Sequence, residues 1–145
     1  DTAERVVSHF GLIGSNGVDL VVSEEGTPYV IEVNPRFQGT IECVERVLGL
    51  NLVEAHVRAC VERKLPAILK ETQSFCMRLV LFAKQRSAAP DLSGLKECRD
   101  VPSPGTMVEG GEPLCSIVVE DRSRYALLKN AKQTYRSIYS SLSPV

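Results

Sequence analysis

Residues 15–42 constrain this chain more than any other stretch. Two runs, 17–23 (Gly-Val-Asp-Leu-Val-Val-Ser) and 28–33 (Pro-Tyr-Val-Ile-Glu-Val), flank Glu24-Glu25-Gly26-Thr27, and Asn34-Pro35 closes the second. Their β-branched and aromatic content reads as two β-strands joined by a tight turn. With Glu25-Gly26 as a two-residue loop, Val22 faces Tyr29, Leu20 faces Ile31 and Asp19 faces Glu32. Side chains alternate between the faces of a strand. One expected face is therefore wholly apolar: Val18, Leu20, Val22, Tyr29, Ile31 and Val33. The other carries Asp19, Glu32 and Asn34.

Like charges directly opposite on a sheet repel, and two carboxylates sharing a site push one another's titration apart. A divalent cation resolves that conflict. Magnesium takes oxygen ligands, commonly one or two carboxylates plus nucleotide phosphates and water, and an Asn oxygen can join them. The alternative is a solvated polar face, since antiparallel sheets often keep one face in water. Pro35 stiffens the strand exit and sets Arg36 just past the carboxylates. A guanidinium there could grip a phosphate or acyl-phosphate with paired hydrogen bonds; a surface salt bridge to Glu42 is the competing reading. Metal ligands followed by a phosphate-binding Arg suit phosphoryl transfer.

The run Gly17-Val18-Asp19 through Ile31-Glu32-Val33-Asn34-Pro35-Arg36-Phe37 resembles the C-terminal metal-binding hairpin of the ATP-grasp superfamily, which includes carbamoyl-phosphate synthase large subunits, biotin carboxylases and related carboxylate–amine ligases. It is most similar to the carbamoyl-phosphate-synthase-like group. The strong part of the resemblance covers about residues 10–66. It implies that Asp19, Glu32 and Asn34 hold magnesium ions, with manganese a permitted substitute, that bridge ATP phosphates. It implies that Arg36 contacts the transferred phosphate or the substrate. The implied reaction turns a carboxylate into an acyl-phosphate that an amine or similar nucleophile attacks. This chain departs from the pattern in three ways. No Gly-rich phosphate-covering loop and no adenine-contacting strand can be read. Arg36-Phe37-Gln38 is followed by Gly39-Thr40, where biotin carboxylases carry Glu and His. Nothing reads as a carbamate tunnel or a glutaminase contact.

The rest of the chain reads as follows. Residues 2–10 suit the last turns of an amphipathic helix, stopped by Gly11 and Gly14. A helix over 41–48 presents Ile41, Val44, Val47 and Leu48, and Gly49 ends it. A further helix runs to about Lys64, with Asn51 and Glu54 spaced as a capping box and Val53, Val57, Cys60 and Val61 as its apolar stripe. Residues 74–83, 98–102 and 114–119 are strand candidates, and 85–97 a polar loop. From Arg122 to Leu142, Tyr125, Leu128, Ala131, Tyr135, Ile138 and Leu142 follow helical spacing. Residues 102–118 look superficially like part of a biotinyl or lipoyl carrier, but Met107 has no Lys neighbour to carry the group. His9 and His56 read as packing or edge histidines, because neither has a positioned partner in sequence.

Composition sets the outer limits. Among 145 residues, 17 Lys and Arg oppose 18 Asp and Glu, a net charge of −1. That balance argues against a nucleic-acid partner, which calls for a basic excess. No apolar run approaches a membrane span. Five widely spaced Cys without a Cys-x-x-Cys pair read as buried free thiols, which favours the cytoplasm over secretion.

The expected fold is α+β, a mainly antiparallel sheet flanked by helices. The expected division is a metal-binding lobe over 1–66 and a C-terminal lobe over 67–145, with a soft boundary near 64–73. The chain opens without Met and already in a helical pattern, so it is expected to be a fragment that needs an N-terminal part of the same protein to complete an ATP site. The expected activity is that of an ATP- and magnesium-dependent ligase acting on a small carboxylate, the fragment alone being inactive. Self-association is left open. The competing class is a non-catalytic ATP-grasp-like module for binding or regulation.

Overall fold

The computed structural model describes residues 1–67, 72 and 74–144. The chain divides into two compact units, Asp1–Glu71 and Thr72–Val145. Of the boundary zone expected at 64–73, residues 68–71 and 73 lie outside the described residues. The elements are antiparallel strands and α-helices, an α+β fold.

The first unit opens with α1 (Thr2–His9). Asp1 caps it, its carboxylate accepting the Ala3 N–H at 2.8 Å while Glu4 reaches back to the Asp1 amine. This reciprocal capping satisfies donors that the first helical turn would otherwise leave open. Strands β1 (Gly17–Val22) and β2 (Pro28–Asn34) form an antiparallel ribbon. Then come α2 (Ile41–Leu48), ended by Gly49 in the left-handed region, and α3 (Leu52–Glu62).

Two expectations for α3 are corrected. It stops at Glu62, not Lys64, because Arg63 turns left-handed at φ 58° and its N–H closes on the Ala59 carbonyl. Its inward face is Leu52, Ala55, His56 and Ala59, while Val53, Val57, Cys60 and Val61 are exposed. The valines carry the hydrophobicity, but the small alanines belong to the face that sits inward. Asn51 does cap the helix, accepting the Glu54 N–H at 2.9 Å. The Glu54 carboxylate turns instead to Arg58, one turn along.

The second unit is built on β3 (Phe75–Phe82), β4 (Ser87–Ala88), β5 (Cys98–Arg99), β6 (Met107–Val108), β7 (Pro113–Asp121), α4 (Arg124–Ser141) and β8 (Ser143–Pro144). One antiparallel sheet has the order β3-β7-β5, and a small one β6-β4-β8. Leu81, Leu114, Cys115, Ile117 and Val119 from the larger sheet meet Leu127, Ala131 and Ile138 of α4 in the core. The α4 period therefore runs through Leu127, one residue before the expected Leu128, which is exposed like Tyr125. Tyr139 adds a directional tie, its hydroxyl donating to the Phe82 carbonyl at 2.6 Å. The expected polar loop 85–97 is partly core: Ser87, Ala89 and Leu92 are buried. The strand expected over 98–102 ends at Arg99, where Asp100 takes φ 54°. No helix among the described residues is long and apolar enough to cross a membrane.

No disulfide joins the five cysteines among the described residues; Cys43, Cys98 and Cys115 are buried, while Cys60 is exposed, contrary to expectation. Burial, with Cys98 alongside, pushes the Cys115 thiol up to about 11. Burial raises Cys98 as well. A thiol held neutral in the fold but free to ionise in the unfolded chain binds more protons in the native state, so stability falls as pH rises. Stability of the second unit is expected to be flat below pH about 8.5 and to fall as pH climbs towards 11, by about 2–3 kcal/mol from Cys115. Urea unfolding across that range measures it, and Cys115→Ala, although less stable at neutral pH, is expected to flatten the slope.

Candidate metal centre

The ribbon reaches its register by two offsets that cancel. The turn is not the two-residue loop expected from sequence. The Ser23 carbonyl accepts the Gly26 N–H at 2.9 Å and the Ser23 N–H donates to the Thr27 carbonyl at 2.9 Å, leaving Glu24-Glu25-Gly26 as a three-residue loop. A two-residue type I′ loop would need positive φ at Glu25 as well as at Gly26. The longer loop confines positive φ to Gly26, at 83°. It pairs Val22 with Pro28, Val21 with Tyr29 and Leu20 with Val30, one residue off the expected register. Between Leu20 and Asp19 the register shifts back, and Ile31 is the extra residue of a β-bulge.

Beyond the bulge, Asp19 faces Glu32, Val18 faces Val33 and Gly17 faces Asn34. The two carboxylates thus oppose one another as expected. The apolar face is corrected: it is Val18, Leu20, Val22, Pro28, Val30 and Val33, and Tyr29 joins Val21 on the carboxylate face. Leu20, Val21, Val22, Tyr29, Val30 and Ile31 are 40–65% exposed.

Asn34 ties into the pair, its Nδ2 donating to Asp19 Oδ2 at 3.3 Å. Asp19 and Glu32 are exposed and Asn34 half-buried. Every donor here is a hard oxygen, which suits magnesium or manganese rather than a thiolate-seeking metal. The described residues contain no group of three or more His, Cys, Asp or Glu that could hold a metal. Two carboxylates and one amide are too few for a closed protein cage, but they match a cation that completes its shell with water and phosphate.

Past Asn34 the backbone is pinned. The Arg36 N–H donates to the Asn34 carbonyl at 2.8 Å, a tight turn around Pro35. Gln38 Nε2 donates to the carbonyls of Arg36 at 2.8 Å and Asn34 at 3.3 Å. One amide thus holds the turn that carries both Asn34 and Arg36. Gln38 lies over Gly17, where a Cβ would come within 2.3 Å of Gln38 Cδ. Arg36 is exposed; its Nη1 donates to the Phe37 carbonyl at 3.2 Å, and no carboxylate among the described residues pairs with it. Glu42, the salt-bridge partner considered for Arg36, pairs with Arg46 at 2.8 Å.

Sequence reading missed Gln38 and the support behind it. His56 Nδ1 accepts the Ser15 N–H at 2.9 Å, its ring packs 4.9 Å from that of Phe37, and Gly14 leaves room that a Cβ would fill 2.2 Å from Nδ1. His56 is thus a packing histidine holding Phe37, the residue between Arg36 and Gln38. The signal present in sequence was the Gly14–Asn16 segment ahead of β1, with Gly14 at φ 77°.

Gly17→Ala is expected to push Gln38 off the turn and cost about 1–2 kcal/mol, the worth of its two hydrogen bonds. Gln38→Ala is expected to cost a similar amount. The double variant is expected to cost little more than either alone, because both remove one interaction. Urea denaturation of the three variants checks this, and full additivity would break the proposed staple.

This chain is similar to several known proteins. The ATP-grasp domain family matches residues 1–40. An uncharacterized protein of Methanocaldococcus jannaschii is 28% identical over 135 residues, 93% of this chain and 31% of that protein. The carbamoyl phosphate synthase large chain of Thermoplasma volcanium is 24% identical over 140 residues, 97% of this chain but 12% of its own length. The chain therefore spans less than a third of either relative. The crystal structure of N5-carboxyaminoimidazole ribonucleotide synthetase from Thermotoga maritima superposes with a TM-score of 0.67 at 18% identity, over 97% of this chain and 40% of that one. Residues 1–40, which include the carboxylate-bearing ribbon, are thus similar to the ATP-grasp domain family, and the fold resembles that of the synthetase.

Proposed function

We propose that the protein carrying this chain is an ATP- and magnesium-dependent ligase that activates a small carboxylate as an acyl-phosphate for attack by an amine or similar nucleophile. The observation that carries the reading is the placement of Asp19 opposite Glu32 beside Asn34, with Arg36 two residues on and free of any carboxylate among the described residues. Similarity to the carbamoyl phosphate synthase large chain supports it. ATP and the carboxylate are the proposed ligands, the remainder of the same protein the proposed partner, and the cytoplasm the proposed location, in keeping with five free thiols.

In this reading Asp19 and Glu32 supply the anionic ligands and Asn34 a neutral oxygen. Magnesium, or manganese in its place, would when bound there supply charge neutralisation for a phosphoryl group in transfer. Arg36 presents its guanidinium to the same oxygens and stabilises charge that grows during transfer. Gln38 keeps the Asn34–Arg36 turn in one conformation, so both groups are in place before substrate arrives.

The test is made on the longer protein that contains this chain. Glu32→Gln is expected to abolish magnesium-dependent ATP turnover. Arg36→Ala is expected to lower kcat/KM by about 10²–10³ while leaving nucleotide binding largely intact. Isothermal titration with magnesium and ATP, paired with phosphate release, reads both. Turnover unchanged by Glu32→Gln would sink the metal-ligand assignment, and nucleotide binding without any turnover would favour the regulatory module.

A further inference from the structure

The first unit contains a cavity of about 340 Å³ bounded by the Gly14–Asn16 segment, the Gln38–Ile41 segment, α2 and α3. None of Asp19, Glu32, Asn34 and Arg36 lines it. Its wall is mostly apolar, with Val44, Ala55, Ala59 and Leu65 prominent, and no Asp, Glu, Lys or Arg among the described residues lines it. An apolar wall of this size with a few polar atoms is the usual form of a small-molecule site.

The polar atoms are specific in kind. Asn16 spends its Nδ2 on the Gly14 carbonyl at 2.8 Å and Gln38 spends its Nε2 on the turn, which leaves both amide oxygens without a hydrogen bond among the described residues. The Thr40 hydroxyl makes no bond to the helix it precedes. Ser15 also lines the wall. His56 Nδ1 accepts the Ser15 N–H, so that ring nitrogen is already engaged by the backbone. Two lining amides with open acceptor oxygens, and no Lys or Arg among the described lining residues, favour N–H donors and disfavour a carboxylate or phosphate, whose charge would go unpaired.

We propose that this cavity is a second binding site, separate from the metal centre, for a small uncharged organic molecule with an apolar body and an amide-type N–H group. The proposal does not depend on the ligase reading, since no metal ligand takes part. Because Gln38 serves both the cavity wall and the Asn34–Arg36 turn, an occupant bonded to Gln38 Oε1 sits one side chain away from the carboxylate pair.

Benzamide and benzoate share a ring and differ in charge, so they make the test. Each is titrated into the full chain and followed by amide NMR. Benzamide is expected to shift the signals of Ser15, Asn16 and Thr40 and the Gln38 side-chain amide, saturating with a dissociation constant on the order of 1 mM, as suits a ligand of its size. Benzoate is expected to bind at least tenfold more weakly. Val44→Phe fills the cavity from its exposed rim and is expected to weaken benzamide tenfold or more. Thr40→Val changes one exposed hydroxyl without altering size and is expected to weaken it about threefold, so it decides the matter should Val44→Phe disturb the fold. Equal binding of benzoate, no binding of benzamide, shifts confined to other residues, or wild-type benzamide affinity in a folded variant would each overturn the proposal.

Discussion

Asp19 faces Glu32 because two one-residue offsets in the same ribbon cancel. The three-residue loop at Glu24-Glu25-Gly26 slips the strands by one, and the bulge at Ile31 slips them back. With the loop alone, Asp19 would oppose Ile31 and Glu32 would point to the other face beside Val18. A one-residue slip inverts every side chain beyond it. The acidic pair, the Asn34 hydrogen bond to Asp19 and the position of Arg36 all lie past the bulge. The placement of these side chains therefore rests on one irregular residue that carries no functional group.

The support of this arrangement runs inward from that point. Gln38 closes the turn after β2, Gly17 gives it room, and Phe37 and His56 pack behind it. Gly14 in turn gives His56 its place against the Ser15 N–H. Two glycines thus act by what they lack, and the Gln38 amide sets the position of the turn that carries Asn34 and Arg36. Groups held in place before a reaction need no rearrangement during it, which is where preorganised electrostatics gains over water. Of these residues, Gly14, Ser15, Gln38 and His56 also line the cavity of the first unit.

Much of this was legible in sequence, though not always for the reason first given. The Asp19–Glu32 pairing follows from a two-residue loop, and it also holds with the longer loop, because the bulge restores the parity. A bulge leaves no mark in composition when its extra residue is an Ile among valines. The cost of that blindness was Tyr29, assigned to the wrong face. In α3 the valines drew the apolar stripe to Val53, Val57 and Val61, whereas Ala55 and Ala59 sit inward. Hydrophobicity ranks residues by transfer energy and says nothing of how closely two backbones must approach. Leu127 and Leu128 are equal to any such scale, so only the start of the α4 face is misplaced, while Ala131, Tyr135, Ile138 and Leu142 pack in or against the core. Gln38 was illegible outright: a glutamine that staples two carbonyls reads like any other.

The ribbon has one more consequence, for behaviour in solution. Its apolar residues from Leu20 to Val22 and Tyr29 to Ile31 are exposed, and two-stranded ribbons offer both outer edges to pairing with a neighbour. Acid brackets that stretch at each end, Glu24 and Glu25 at the turn and Asp19 and Glu32 at the base. Paired charges beside a hydrophobic strand act as gatekeepers, since two such ribbons brought together would stack like on like. The carboxylates at the base thus hold colloidal order as well as any chemistry, and whatever neutralises them also lifts one of the two guards against fibrous association.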